Sequence, residues 1–181
     1  MHDDIAEVLL GEEAIQARVK VLGEEISKAY TGRDLVIICI LKGAVMFFAD
    51  LARNIATPCE MDFMGISSYG GQMKTSGIVR ISKDLDRSIF NKDVLIIEDI
   101  MDSGLTLNHL KQLLQSRNPR SLRIACLLDK PERRECDITP DYCGFIIPDR
   151  FVVGYGLDYD GQYRNLPYVG VLKPDVYEER P

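Results

Sequence analysis

Apolar positions along this chain follow two periods. From Glu12 to Tyr30, the residues Ile15, Val19, Leu22, Ile26 and Ala29 recur at helical spacing. That predicts an amphipathic helix covering one face of a sheet, ended by Thr31-Gly32. Leu35 to Leu41 is an unbroken apolar run too short for a helix, which predicts a buried strand. Lys42-Gly43 follows, and then a helix from about Ala44 to Ala56. Cys59 to Ser67 partly alternates, with Met61, Phe63 and Met64 apolar, and reads as a strand. A polar, glycine-rich excursion follows over residues 68–77, and Ile78 to Ile81 returns as its partner. Val94 to Ile97 and Leu122 to Leu128 are two more buried runs. Between them Leu105, Leu107, Leu110, Leu113 and Leu114 predict a helix. Phe151 to Val153 reads as one more short core strand.

The stretch Val94 to Thr106, VLIIEDIMDSGLT, carries the chemistry. It reads as a strand, an acidic tip at Glu98 and Asp99, a tight loop from Asp102 through Ser103 and Gly104, and a helix opening at Leu105-Thr106. Small residues let backbone approach a ligand closely, and the free N–H groups of a helix N-terminus suit a phosphate. The hydroxyls of Ser103 and Thr106 add donors. Acids at the carboxyl end of the strand suit a sugar diol or a hydrated magnesium ion. Taken singly, Asp102 and Ser103 read as helix caps. Capping alone does not call for two acids at the end of an apolar strand.

At 181 residues the chain is long enough for an ordinary domain with its own core, and 46% hydrophobic with 28% charged residues is a globular composition. The longest apolar region, Leu35 to Ala49, is interrupted by Lys42-Gly43 and too short to cross a bilayer. The opening Met1-His2-Asp3-Asp4 is acidic where an export signal is basic, so a cytoplasmic protein is expected. Five cysteines without CxxC spacing suit reduced thiols. A net charge of −6 argues against non-specific nucleic-acid binding. Asp158-Tyr159-Asp160-Gly161 has a faint calcium-loop look, but the remaining ligand positions are missing.

The 94–106 segment resembles the phosphoribosyl-diphosphate motif of type I phosphoribosyltransferases. From about Ile15 to Lys173 the chain resembles one branch of that family, the hypoxanthine-guanine phosphoribosyltransferases. The resemblance implies a twisted, mainly parallel α/β sheet flanked by helices, one domain over residues 1–181, and a small hood made from the terminal segments. It implies transfer of a 5-phosphoribosyl group to N9 of hypoxanthine or guanine, with magnesium, in a homodimer or homotetramer. Leu41-Lys42-Gly43 matches the pyrophosphate loop, together with Arg164. Glu98 and Asp99 match the ribose-binding acids, Asp102 the general base, and Asp102 to Thr106 the 5′-phosphate loop. Ser68 and Tyr69 match the start of a loop that closes over the site. Lys130 matches the donor to the purine 6-oxo group. Phe151 matches the ring that stacks on the base, Val152 and Leu157 its backbone readers, and Asp158 a purine-side acid. Glu98, Asp99 and Asp158 are the implied magnesium ligands. The acidic balance speaks against a nucleic-acid-binding regulator built on the same motif, and no pyrimidine-binding string is visible.

Overall fold

The structure, a computed structural model, describes residues 1–68 and 79–177. Elements follow in the order β1 (Ile5–Leu10), α1 (Glu12–Ala29), β2 (Leu35–Leu41), α2 (Val45–Asn54), β3 (Cys59–Ser68), β4 (Val79–Lys83), β5 (Asp93–Met101), α3 (Leu105–Gln115), β6 (Ser121–Asp129), β7 (Tyr142–Ile146), β8 (Val152–Val153), β9 (Val169–Leu172) and α4 (Pro174–Tyr177).

The main sheet has six strands in the order β4-β3-β2-β5-β6-β7. Only β4 runs antiparallel, against β3. The apolar runs of β2, β5 and β6 occupy its centre because strands covered on both faces need side chains without unpaired polar atoms. Alternate residues serve opposite faces. Ile37 and Cys39 join Leu95 and Ile97 under α1 and α2, while Val36, Ile38 and Ile40 join Val94 and Ile96 under α3. The stripe read from the α1 sequence is the buried one: Ile15, Val19, Leu22 and Ile26 are fully buried.

Three differences from the sequence reading bear on the site. β5 does not stop at Ile97 but continues to Met101, so Glu98 and Asp99 are strand residues. Pairing with β6 extends past the end of β2, Glu98 opposite Cys126 and Met101 opposite Asp129, which holds the polar tail extended. Two elements the periodicity does not show, β1 and β9, join β8 in a separate antiparallel sheet of three strands, β1-β9-β8. This is the expected hood, and it has its own small core of Val153, Tyr163, Leu166 and Leu172. Finally, β7 adds a parallel edge to the main sheet beside β6. Of the closing-loop pair, Tyr69 lies outside the described residues and Ser68 is the last residue of β3.

Candidate active site

Parallel strands bring their carboxyl ends to one edge, where open α/β sheets bind ligands. Here Cys39 of β2 lies opposite Ile97 of β5, so the Leu41-Lys42-Gly43 loop leaves its strand level with Glu98 and Asp99. The Leu41–Lys42 peptide is cis. A methyl group at Gly43 would fall 1.6 Å from Asp99 Oδ2, so only glycine fits there. Gly156 in turn packs on the Gly43 carbonyl, where an added Cβ would lie 2.0 Å from the oxygen. Two glycines thereby clamp the β2 loop between the acidic pair and the hood.

Glu98 and Asp99 are half-buried and adjacent on the chain. Asp99 N–H donates to Glu98 Oε1 at 3.1 Å, and Ile100 N–H donates to Asp99 Oδ1 at 2.7 Å. Burial first, and then the neighbouring Asp99 charge, push the Glu98 carboxyl well above the ordinary carboxylate range. Burial also raises Asp99, partly offset by its hydrogen bonds and by the more distant Arg164 cation. The pair is therefore a strand end of hard oxygen donors with no ion-pair partner among the described residues, and such oxygens are the donor set that magnesium takes. The third expected ligand, Asp158, is ion-paired to Arg164 at 2.6 Å. Arg164 also donates to the Gly156 carbonyl at 2.6 Å, which fixes it on the hood side of the Leu41-Lys42-Gly43 loop. Among the described residues, no three acidic, histidine or cysteine side chains converge as a ready metal cluster.

A cleft of about 210 Å³ runs along the turn after β5, lined by Glu98, Asp102, Ser103, Gly104 and Thr106. Gly104 caps α3 in the left-handed region, φ +81°, and offers the helix N-terminus no side-chain acceptor. A Cβ at Gly104 would also strike Ile138 at 2.6 Å, so position 104 requires glycine twice over. Ser103 Oγ accepts weakly from Leu105 N–H at 3.4 Å. The simple capping role considered for Asp102 is not what the structure shows, since its side chain makes no cap bond to α3.

A second cleft, about 380 Å³, lies between that turn and the hood, lined by Asp102, Lys130, Phe151, Val152, Leu157 and Asp158. Lys130 N–H donates to the Met101 carbonyl at 3.0 Å, which carries Lys130 alongside Asp102. Its side chain is only 6% exposed, against the solvated lysine its sequence context suggests, and Nζ donates to the Arg150 carbonyl at 2.7 Å. Phe151 is 40% exposed. Tyr177 stacks on it at 4.8 Å and Tyr159 meets it edge-on at 5.7 Å.

Four residues the sequence reading passed over also belong here. Asp129 and Arg134 form a buried ion pair, and Arg134 donates to the Asp102 carbonyl at 2.6 Å, bracing the loop from below. Arg133 Nε lies 3.1 Å from Asp102 Oδ1, and Asp149 pairs with both Arg133 and Lys130. Two adjacent arginines three and four residues past Lys130, just beyond a buried strand, were the available signal. The five cysteines are all free thiols.

Comparison with known proteins agrees with this geometry. Residues 7–160 match the phosphoribosyl transferase domain model. A hypoxanthine-guanine phosphoribosyltransferase of Bacillus subtilis is 55% identical, covering 98% of this chain and 99% of its own. The crystal structure of a hypoxanthine phosphoribosyltransferase from Staphylococcus aureus superposes with a TM-score of 0.96 at 56% identity, over 99% of this chain and 97% of the other. A Trypanosoma cruzi hypoxanthine phosphoribosyltransferase, 42% identical over 98% of this chain and 96% of its own, gives 0.93. With its parallel sheet, its glycine-capped turn after an acidic strand end and its hood, this chain belongs to the phosphoribosyltransferases of purine salvage, in the hypoxanthine-guanine branch.

Proposed function

We propose that this chain transfers the 5-phosphoribosyl group of phosphoribosyl diphosphate to N9 of hypoxanthine or guanine, giving inosine or guanosine monophosphate and pyrophosphate. One observation carries the assignment of roles: Asp102 lines both clefts, the smaller one at the α3 N-terminus and the larger one under the hood. A ribose bridging the two clefts would bring its C1 beside Asp102, at the mouth of the base pocket.

The 5′-phosphate takes the N–H groups and hydroxyls of Ser103, Gly104, Leu105 and Thr106, with the α3 dipole behind them. Glu98 and Asp99 hold the ribose hydroxyls. The bond from C1 to the pyrophosphate oxygen breaks through an oxocarbenium-like state while the bond from C1 to N9 forms. Leu41, Lys42 and Gly43 receive the departing pyrophosphate with backbone N–H groups and the lysine charge, helped by Arg164. Asp102 takes the proton that the purine imidazole gives up. Lys130 donates to the 6-oxo group, Phe151 stacks on the ring, and the backbone at Val152 and Leu157 reads the base edge. Ser68 and Tyr69 begin the loop that closes over the reacting centre and keeps water from C1.

Glu98, Asp99 and Asp158 would hold magnesium, which neutralises charge building on the pyrophosphate when bound. Two carboxylates with substrate and water oxygens completing the shell is a common magnesium arrangement, and the paired carboxylates of the strand end fit it. Asp158 exchanges its partner Arg164 for that role. A cytoplasmic enzyme suits the five free thiols. Small-molecule substrates, no nucleic acid, no membrane, and a homodimer or homotetramer complete the reading. Among the described residues no helix is long and apolar enough to cross a membrane.

The test is an absorbance assay with phosphoribosyl diphosphate, magnesium and, separately, hypoxanthine, guanine, xanthine and adenine. Magnesium-dependent formation of inosine and guanosine monophosphates with adenine inert is the expected result. Equal use of adenine would remove Lys130 from base selection, and silence in every well would remove the reaction.

A further inference from the structure

The carboxylate of Asp102 has two different sides. Its side chain is 42% exposed, yet Oδ1 is buried and receives no aligned hydrogen bond. What covers Oδ1 is the Arg133 guanidinium, with Nε 3.1 Å away, close enough for an ion pair but off the hydrogen-bond line. The exposed part of the carboxylate therefore faces away from Arg133. The same guanidinium reaches Asp149 through Nη1 at 3.3 Å. Asp149 Oδ1 lies 3.6 Å from Lys130 Nζ, and Lys130 is itself anchored to the Arg150 carbonyl. Acid, base, acid, base: Asp102, Arg133, Asp149 and Lys130 form a neutral chain along one wall of the larger cleft.

Its two ends are the groups with opposite tasks toward the base. In a 6-oxopurine the oxo group and the imidazole nitrogen beside it share one edge of the ring. An acceptor for the imidazole proton and a donor to the oxo oxygen must then stand at one fixed spacing. Resting on the reaction proposed above, we propose that Arg133, bridged by Asp149, is a positioning residue that sets this spacing. A planar guanidinium suits the task because its donors form a rigid fork that bridges two carboxylates, where an ammonium offers a single point of charge. Stability is a poor explanation for the bridge. Arg133 and Asp149 are 50% and 48% exposed, and pairs that open to water hold a fold together weakly. Their loss leaves the chain folded.

The experiment is a double-mutant cycle read by steady-state kinetics on the full chain with magnesium. Arg133→Gln lowers kcat/KM for hypoxanthine about tenfold while KM for phosphoribosyl diphosphate stays within about twofold. Made on top of Asp102→Asn, the same change lowers the residual rate by less than about twofold, because the carboxylate it orients is gone. Asp149→Asn, which keeps the side chain's shape, shifts hypoxanthine use in the same direction by about threefold. A tenfold rise in KM for phosphoribosyl diphosphate, or the full tenfold loss repeated in Asp102→Asn, would overturn the proposal, the second by making Arg133 a direct ligand of the base. Normal kinetics for Arg133→Gln beside an inactive Asp102→Asn would overturn it while sparing the general-base reading. Normal turnover in Asp102→Asn alone would overturn both.

Discussion

Strand β5 begins with an acid and carries two more near its carboxyl end, and the two ends could hardly be more different. At the amino end Asp93 is fully buried, accepts Ser121 Oγ at 2.6 Å and Arg120 Nη1 at 3.1 Å, and has Arg33 at 3.6 Å. Its charge is neutralised on the spot. At the carboxyl end Glu98 and Asp99 have no ion-pair partner among the described residues, only the distant pull of Arg164 on Asp99. Burial, only partly offset, raises both carboxyls. A charge the protein neutralises for itself is architecture, whereas a charge left over at the edge of a cleft is held for a ligand. Between the two ends run four apolar residues, Val94 to Ile97, all fully buried.

That contrast breaks most visibly at Asp102, just past the strand end. Asp102→Asn removes the proposed proton acceptor and keeps the shape, so kcat is expected to fall about 10³-fold, within the range for a general base. Calorimetric titration of phosphoribosyl diphosphate with magnesium shows its binding nearly unchanged. Normal turnover would strip Asp102 of its role. The amino end answers in stability instead. Asp93→Ala destabilises the fold by about 2–3 kcal/mol, the low side for a buried charge because both arginines are half exposed and turn to water. Urea unfolding measures it, and kcat/KM per folded molecule stays at the wild-type level. A matching loss of activity would show that the two ends are coupled.

Lys130→Ala sharpens the difference between the clefts. A purine oxo group left without its donor loses about 1–3 kcal/mol, roughly 5- to 150-fold in kcat/KM for hypoxanthine, with KM for phosphoribosyl diphosphate almost unmoved. Equal losses for both substrates would place the base elsewhere.

The same contrast separates what the sequence shows from what it conceals. Central strands such as Leu35 to Leu41 are legible because both faces are buried, so every side chain must be apolar. The glycines that shape the site are legible as small residues, but the contacts that demand them, Asp99 against Gly43 and Ile138 against Gly104, come from distant segments. Two of the hood strands hide for the same reason. β8, two residues long, lies within the apolar run Phe151 to Val153, but β1 meets β9 across more than one hundred and fifty positions, Ile5 opposite Leu172. Lys130 looks like a surface lysine until the fold closes over it. Arg133 carries no periodic signal, since its partners Asp102 and Asp149 are assembled only by topology.

The smallest effect tests the central contrast most directly. Glu98→Gln removes an uncompensated charge, so in the ligand-free protein it stabilises the fold at neutral pH by roughly 1 kcal/mol, about 2–4 °C in Tm. The sign follows from linkage. The native carboxyl holds its proton more tightly than the unfolded one, so wild-type stability declines as pH rises from the ordinary carboxylate value through the raised one. The advantage of Glu98→Gln therefore grows over that window and vanishes below it. Magnesium and phosphoribosyl diphosphate are expected to stabilise the wild type more than the variant, because only the wild type keeps the carboxylate proposed to hold them. The decisive measurement is thermal unfolding of both proteins between pH 5 and 8, with and without magnesium and phosphoribosyl diphosphate. The account predicts that the variant is the more stable of the two without ligand and loses that lead when ligand is present. A wild type that is the more stable protein in the ligand-free state at neutral pH would contradict it.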